Sequence, residues 1–232
     1  MAATRSAIGK SIVRGEGPDK VSGKAIYAAD ISQPGMLWGR VLRSPYPYAR
    51  IVSIDKSQAE ALPGVHAVVT GQDIPDTKIG RRMVDMPILA RDVVRFVGEK
   101  VAAVAADDKD AADEALLLID VVYEELTPVY DAEEAMGVDA PDLHPDMESY
   151  QGFPQPPSGI KNAFAHITWE KGDIKQGFKE SDLIFEHTFN AQLMHQAYIE
   201  PHACLVSADP AGKGVQIWAN NKDPYMLRDQ LA

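Results

Sequence analysis

Residues 87–123 read PILARDVVRFVGEKVAAVAADDKDAADEALLLIDVVY, and the fold turns on them. Residues 93–97, VVRFV, are rich in β-branched and aromatic side chains, which suit a pleated strand. Gly98-Glu99 interrupts them, and residues 101–106 then carry no polar side chain at all. A run apolar on both faces predicts a strand covered on both sides. Asp107 or Asp108 is placed to cap a helix. In that helix Ala112, Ala115, Leu116 and Ile119 fall at i, i+3, i+4 and i+7, a single apolar stripe. Asp110, Asp113 and Glu114 occupy its first turns, where the helix dipole favours acids. Residues 121–123 return to strand. Strand, strand, helix and strand in so short a stretch make a compact α+β unit.

Toward the N-terminus, residues 1–20 are polar and glycine-containing and read as an arm, with Gly15-Glu16-Gly17-Pro18-Asp19 as turn material. Tyr27-Ala28-Ala29-Asp30 reads as a short extended piece ended by Gln33-Pro34-Gly35. Strands are expected over 36–43, 49–54 and 65–69, with one or two helical turns over 57–62 stopped by Pro63-Gly64. Residues 74–86, with Lys78, Arg81 and Arg82, read as a solvated loop.

Toward the C-terminus the composition changes. Pro141, Pro145, Pro154, Pro156 and Pro157 with few large aliphatics mark a linker laid over a surface, so the first domain is expected to end near Glu134. Proteases are expected to cut that linker first, near 151–159. Beyond Asn162 the sequence predicts a short strand over 166–170, a helix opened by Gly172-Asp173, and a strongly alternating strand over 183–193. A hairpin of residues 204–208 and 215–219 follows, turning through DPAGKG. Asp223-Pro224 is an N-cap followed by proline at the first helical position.

A length of 232 residues allows one large or two small domains. A net charge of −11 excludes a general binder of nucleic acid or anionic membranes, which needs clustered lysine and arginine. No stretch is long and apolar enough to cross a membrane, and residues 1–17 lack the apolar core of a secretory signal. The lone cysteine, Cys204, excludes an internal disulfide and a cysteine-held iron–sulfur cluster within these residues, and fits a reducing compartment such as the cytoplasm.

The candidate chemistry is sparse. His195, Glu200 and His202 are metal-ligand types, but their spacing matches no zinc motif and Pro201 breaks a helix there. Cys204 sits in an apolar strand and reads as a buried, inert thiol. Asp107, Asp108 and Asp110 are accounted for by a helix start. Phosphate-cradling glycine loops are absent. Asn220-Asn221-Lys222 lies between a strand end and a helix start, a corner that often lines a site for anions.

Several stretches together resemble the N-terminal part of the molybdenum-binding large subunit of the xanthine dehydrogenase, aldehyde oxidase and carbon monoxide dehydrogenase family. They are RGEGPDKVSG at 14–23, YAADI at 27–31, Arg43-Ser44-Pro45, Ala49-Arg50-Ile51 and LPGV at 62–65. RFVGEKVA at 95–102 is the sharpest, followed by VYEEL at 122–126, Gly172-Asp173 with Phe178, and Glu200-Pro201-His202-Ala203.

The resemblance implies an α+β protein. Behind an arm at 1–19 it expects an α/β-hammerhead domain at 20–134, a proline-rich linker at 135–161, and the opening of a molybdopterin-binding domain at 162–232. It places the pterin-cradling glycines and the proposed catalytic glutamate beyond Ala232. Family members usually carry Thr-Gln where this chain has Asn221-Lys222, and that glutamine approaches the molybdenum ligands. Lysine carries a charge and cannot accept a hydrogen bond. Asn221 and Lys222 are therefore the cofactor-binding candidates, while Glu200 is expected to be structural. The implied function is a segment or split subunit of a molybdenum hydroxylase, inactive alone, oxidising a small heterocycle, aldehyde or similar substrate with water-derived oxygen. The implied cofactors are molybdopterin-molybdenum, completed by the missing region or a partner chain, and 2Fe-2S centres and FAD on partner chains or other domains. A non-catalytic docking module, or a truncated fragment, is the alternative.

Overall fold

The computed structural model describes residues 8–154 and 160–231. The first elements are α1 (Gly17–Val21), β1 (Trp38–Arg43), β2 (Ala49–Asp55), α2 (Ser57–Glu60), β3 (Val65–Thr70), β4 (Lys78–Ile79), β5 (Met86–Pro87) and β6 (Val93–Val94). There follow β7 (Lys100–Ala106), α3 (Lys109–Leu117), β8 (Asp120–Glu125), α4 (Ala132–Ala135), α5 (Ile174–Glu180), β9 (Cys204–Ala208), β10 (Val215–Ala219) and α6 (Pro224–Leu231). The mixture is α+β, as expected. The elements group into two compact units, Gly35–Asn190 and the described residues before and after it.

In the larger unit β7 lies between β1 and β3, antiparallel to both. Its Ala102 and Val104 pack with Ala59, Val68, Ala115 and Ile119 under α2 and α3. Its Val101 packs on the other side with Ala49, Ala90 and Val94. The strand is thus buried on both faces, as its unbroken apolar run predicts. A second sheet, in the order β6-β2-β8, flanks this core. Helix α3 starts where the Asp108 carboxylate accepts a hydrogen bond from Ala111 N at 2.8 Å, and Arg40 holds its outer face through Asp113.

The expected strand over 93–97 shortens to β6, because the next residues build a turn that clamps the loop after β1. Gly98 N donates to Ser44 O and Ser44 N donates to Glu99 O, each at 2.8 Å, while Arg43 Nη1 donates to Gly98 O at 2.8 Å. Gly98 has φ +92°, which an L side chain rarely adopts. The Glu99 side chain folds inward, leaving the residue 5% exposed, and its carboxylate accepts from Arg95 N at 2.5 Å. Burial pushes its pKa above the ordinary value of 4.5, against the backbone N–H of Arg95 that favours the anion.

Residues 74–86 are not wholly loop: β4 and β5 pair within them. The proline-rich stretch lies over this region. Val84 N donates to Gln151 O at 2.9 Å, and Arg95 Nε donates to Leu143 O at 2.7 Å. Asn162, at φ +53°, ties its ends together, accepting from Leu143 N and donating to the carbonyls of Ala135 and Pro141. Pro156, Pro157 and the end of the expected cleavage window lie outside the described residues.

Five further expectations fail. The turn material around Gly17 is the short helix α1, and Ala28–Asp30 forms a 3-10 turn in which Asp30 accepts from Tyr27 N at 2.9 Å. Residues 166–170 and 183–193 form no strand, for among the described residues no backbone pairs with theirs. Alternation specifies a face, whereas a strand also needs a neighbour. Cys204 is exposed rather than buried, because β9 pairs only with β10 in a two-stranded sheet.

Asp73 gives one stability test. Its carboxylate takes the Lys56 ammonium at 2.9 Å and both the N–H and hydroxyl of Thr70, which hold its pKa at about 2, below the usual 3.8. That contribution is complete above pH 3.8 and is lost as pH falls toward 2. Asp73→Ala should cost about 1 kcal/mol near neutral pH, allowing for partial exposure. In denaturant titrations the deficit should shrink as pH falls through that window.

Candidate functional site

The candidate site belongs to the smaller unit and is built on the β9–β10 hairpin. Its last ladder pair sets Ala219 opposite Cys204. Asn220 extends the ladder with its side chain: Oδ1 accepts from Ala203 N and Nδ2 donates to Pro201 O, each at 3.0 Å. The strand leading to β9 is thereby locked to the chain leaving β10. Asn221 Oδ1 accepts from Asp223 N at 2.5 Å, and Asp223 Oδ1 faces Met226 N at 3.4 Å. Pro224 then opens α6 with its φ already fixed for a helix. These contacts present Asn221 and Lys222 on a short braced corner.

The corner lines a cleft of about 550 Å³. Glu200, His202, Tyr198 and Tyr27 form the facing walls. The rings of Tyr198 and His202 stack at 5.1 Å with planes 7° apart, and His195 tilts against Tyr198 at 5.2 Å. His195 Nδ1 accepts from Ala197 N at 3.0 Å, across a backbone at φ +50° that is unusual for alanine. Two of the three sequence-level metal candidates are thus engaged as aromatic rings. Among the described residues no three His, Cys, Asp or Glu side chains gather to hold a metal ion.

The structure therefore brings Asn221 and Lys222 together with Glu200 and His202 around one cleft, and Cys204 is not among the residues that line it. Asp107 meets His66 at 2.7 Å, and Asp108 caps α3. Tyr27 and Tyr198 were not singled out by sequence as site residues, and no local pattern marks them as such. The bridging role of Asn220 is likewise legible only once the hairpin register is known.

Chemically, the corner offers donors. Asn221 uses its carbonyl oxygen locally, which leaves its amide N–H groups free, and the Lys222 ammonium has no partner among the described residues. An amide and an ammonium suit the oxygen atoms of an anionic, oxygen-rich group and cannot serve as a metal's ligand shell.

Comparison with known proteins agrees with this architecture. Residues 22–127 match the family model described as aldehyde oxidase and xanthine dehydrogenase, a/b hammerhead domain. Residues 156–232 match the molybdopterin cofactor-binding domain. The chain is 38% identical over 223 residues to a probable xanthine dehydrogenase subunit of Bacillus subtilis (strain 168), covering 96% of this chain and 28% of that protein. It is 35% identical to the nicotinate dehydrogenase large molybdopterin subunit of Eubacterium barkeri, covering 97% of this chain and 50% of that one. The crystal structure of the Cu,Mo-CO dehydrogenase superposes with a TM-score of 0.80 at 32% identity, over 96% of this chain and 29% of that one.

The fold and these matches define a hammerhead domain joined to part of a molybdopterin-binding domain. The chain belongs to the aldehyde oxidase and xanthine dehydrogenase family, in the region that carries those two parts of the large subunit. It spans between about a quarter and a half of the curated relatives it matches.

Asn220→Ala should free the amide of Ala203 and loosen the corner by about 1–2 kcal/mol, roughly a tenfold faster amide exchange at Ala203. Unchanged exchange there would show that the hairpin alone sets the corner.

Proposed function

We propose that this chain is a segment or split subunit of a molybdenum hydroxylase that oxidises a small heterocycle, aldehyde or related molecule. The observation that carries the reading is the braced, donor-presenting corner at Asn221-Lys222 within the stretch matched by the molybdopterin-binding model. When bound, the molybdenum cofactor supplies a two-electron oxidation that places water-derived oxygen at a C–H bond. The chain's part is to bind and orient. Asn220 fixes the two strand ends, and Asn221 and Lys222 are the residues that would hold the bound cofactor, through their amide and ammonium donors. The lysine adds a positive charge that favours anionic groups in the cleft.

We divide the chain into an arm at 1–19, the hammerhead at 20–134, a linker at 135–161 and the opening of the cofactor domain at 162–232. With one cysteine it holds no iron–sulfur cluster of its own, so 2Fe-2S centres and FAD belong to partner chains or other domains. No described helix is long and apolar enough to cross a membrane, and the single reduced thiol suits the cytoplasm. Alone, the chain is inactive.

The test is gentle purification of the tagged chain from its own cells, with metal analysis. The reading predicts molybdenum and iron arriving with co-purifying polypeptide. Lys222→Ala should lower molybdenum occupancy without loss of the iron. A lone, metal-free chain would leave instead the alternative, a docking module or fragment that keeps only the fold.

A further inference from the structure

In the larger unit, the contacts that hold residues 138–153 against β4 and β5 gather around one imidazole. Arg95 Nε donates to Leu143 O at 2.7 Å, one residue before His144. The half-buried His144 ring meets the buried Tyr150 ring edge-on, with centroids 5.8 Å apart and planes at 87°. Its Nδ1 lies 3.2 Å from the Tyr150 hydroxyl. Lys78 of β4 sets its ammonium 4.9 Å from the centre of the same Tyr150 ring. Just beyond, Gln151 O accepts from Val84 N at 2.9 Å. Gly152 runs so close to the Arg82 carbonyl that a Cβ there would collide with it. None of these side chains has a part in the function proposed above.

We propose that His144 is an acid-sensitive catch: neutral, it keeps residues 138–153 seated on the β4–β5 hairpin, and protonated, it releases them. A neutral Nδ1 can accept the Tyr150 hydroxyl hydrogen, whereas in the imidazolium both ring nitrogens are donors and that bond is lost. Burial raises the Tyr150 pKa above its ordinary 10.0, so the hydroxyl keeps the hydrogen it donates, with Asp146, Asp85 and Asp76 adding to the rise and Arg95 opposing it. A proton on His144 also creates a cation where burial disfavours one and where Arg95, bonded to the adjoining peptide, and Lys78 already stand. Asp85 and Asp142 favour that cation, but burial and the two basic groups prevail and hold the His144 pKa below its ordinary 6.5. The seated segment therefore takes up the proton less readily than the released one. Its hold is complete above pH 6.5 and weakens as pH falls below that value. The ring also borders a cavity of about 540 Å³, with Asp142, Asp146, Glu148 and Lys161 in its walls, which has ample room for water to deliver the proton. In sequence this segment leads from β8 to the residues matched by the molybdopterin-binding model, so its release frees that connection in mild acid.

The test is amide exchange of the tagged chain purified from its own cells, corrected for the intrinsic pH dependence of exchange. Protection at Val84 and Leu143 should fall at least about tenfold between about pH 7.5 and about pH 5, while Val104 on β7 keeps its protection. The fall should follow the titration of the His144 ring itself, read by NMR from its carbon-bound hydrogens. His144→Gln is neutral throughout and can still accept from Tyr150, and His144→Phe keeps a ring against Tyr150 without a titrating group. Either variant should stay seated, with protection that no longer depends on pH. Wild-type protection that does not change, or the same acid release in a variant, would overturn the proposal. If both variants are already released near neutral pH, the wild-type ring decides: protection lost at a pH where His144 does not titrate would overturn it, and coincidence of the two would support it.

Discussion

The double burial of β7 is the constraint on which the larger unit depends. A strand with covers on both faces must be apolar throughout, and one that receives a helix must also be small on that side. Val101 fills the space toward β2 and β6, while Ala102 and Val104 receive α2 and α3. Ala102, Ala106, Ala112 and Ala115 are completely buried, so α3 approaches the sheet at alanine distance. Close packing leaves no room for larger side chains there without displacing the helix. The two neighbouring strands, the helix after β7 and the second sheet all take their positions from this arrangement.

The sequence motifs shared with the family acquire a physical meaning at the start of the same strand. Arg43-Ser44 and Gly98-Glu99 are distant in sequence but meet as a clamp of reciprocal backbone hydrogen bonds. Gly98 supplies a left-handed backbone, and Glu99 accepts the Arg95 N–H from inside. The side chain of Arg95 reaches out to Leu143 and holds the proline-rich stretch. This motif therefore joins the core to its covering segment.

What could be read in advance follows from where the determining contacts lie. The central unit was legible because its apolar run, its Asp108 cap and its helical stripe are all local, and its neighbours are present. The hairpin and α6 were legible for the same reason: turn residues and Asp223-Pro224 act at short range. Residues 183–193 carried an equally clear alternation and still formed no strand, because pairing depends on a backbone elsewhere. Cys204 was misplaced for a related reason, since an apolar strand buries its thiol only when something covers it. The corner at 220–222 could be located from the sequence, but its bracing by Asn220 depends on register, and Tyr27 reaches the cleft only through tertiary structure.

The two parts of the chain differ in how much of their own core they contain. The β7 unit closes around buried residues on both sides, whereas the stretches around α5 leave large aromatic side chains in solvent. The first closes on its own contacts, and the second does not. Mild digestion of the isolated chain with chymotrypsin, followed by mass spectrometry, tests that difference directly. Early cleavage after Trp169, Phe185 and Phe189, leaving residues 38–125 intact, is the predicted result. Resistance at those three residues while the β1 to β8 region is cut would contradict it.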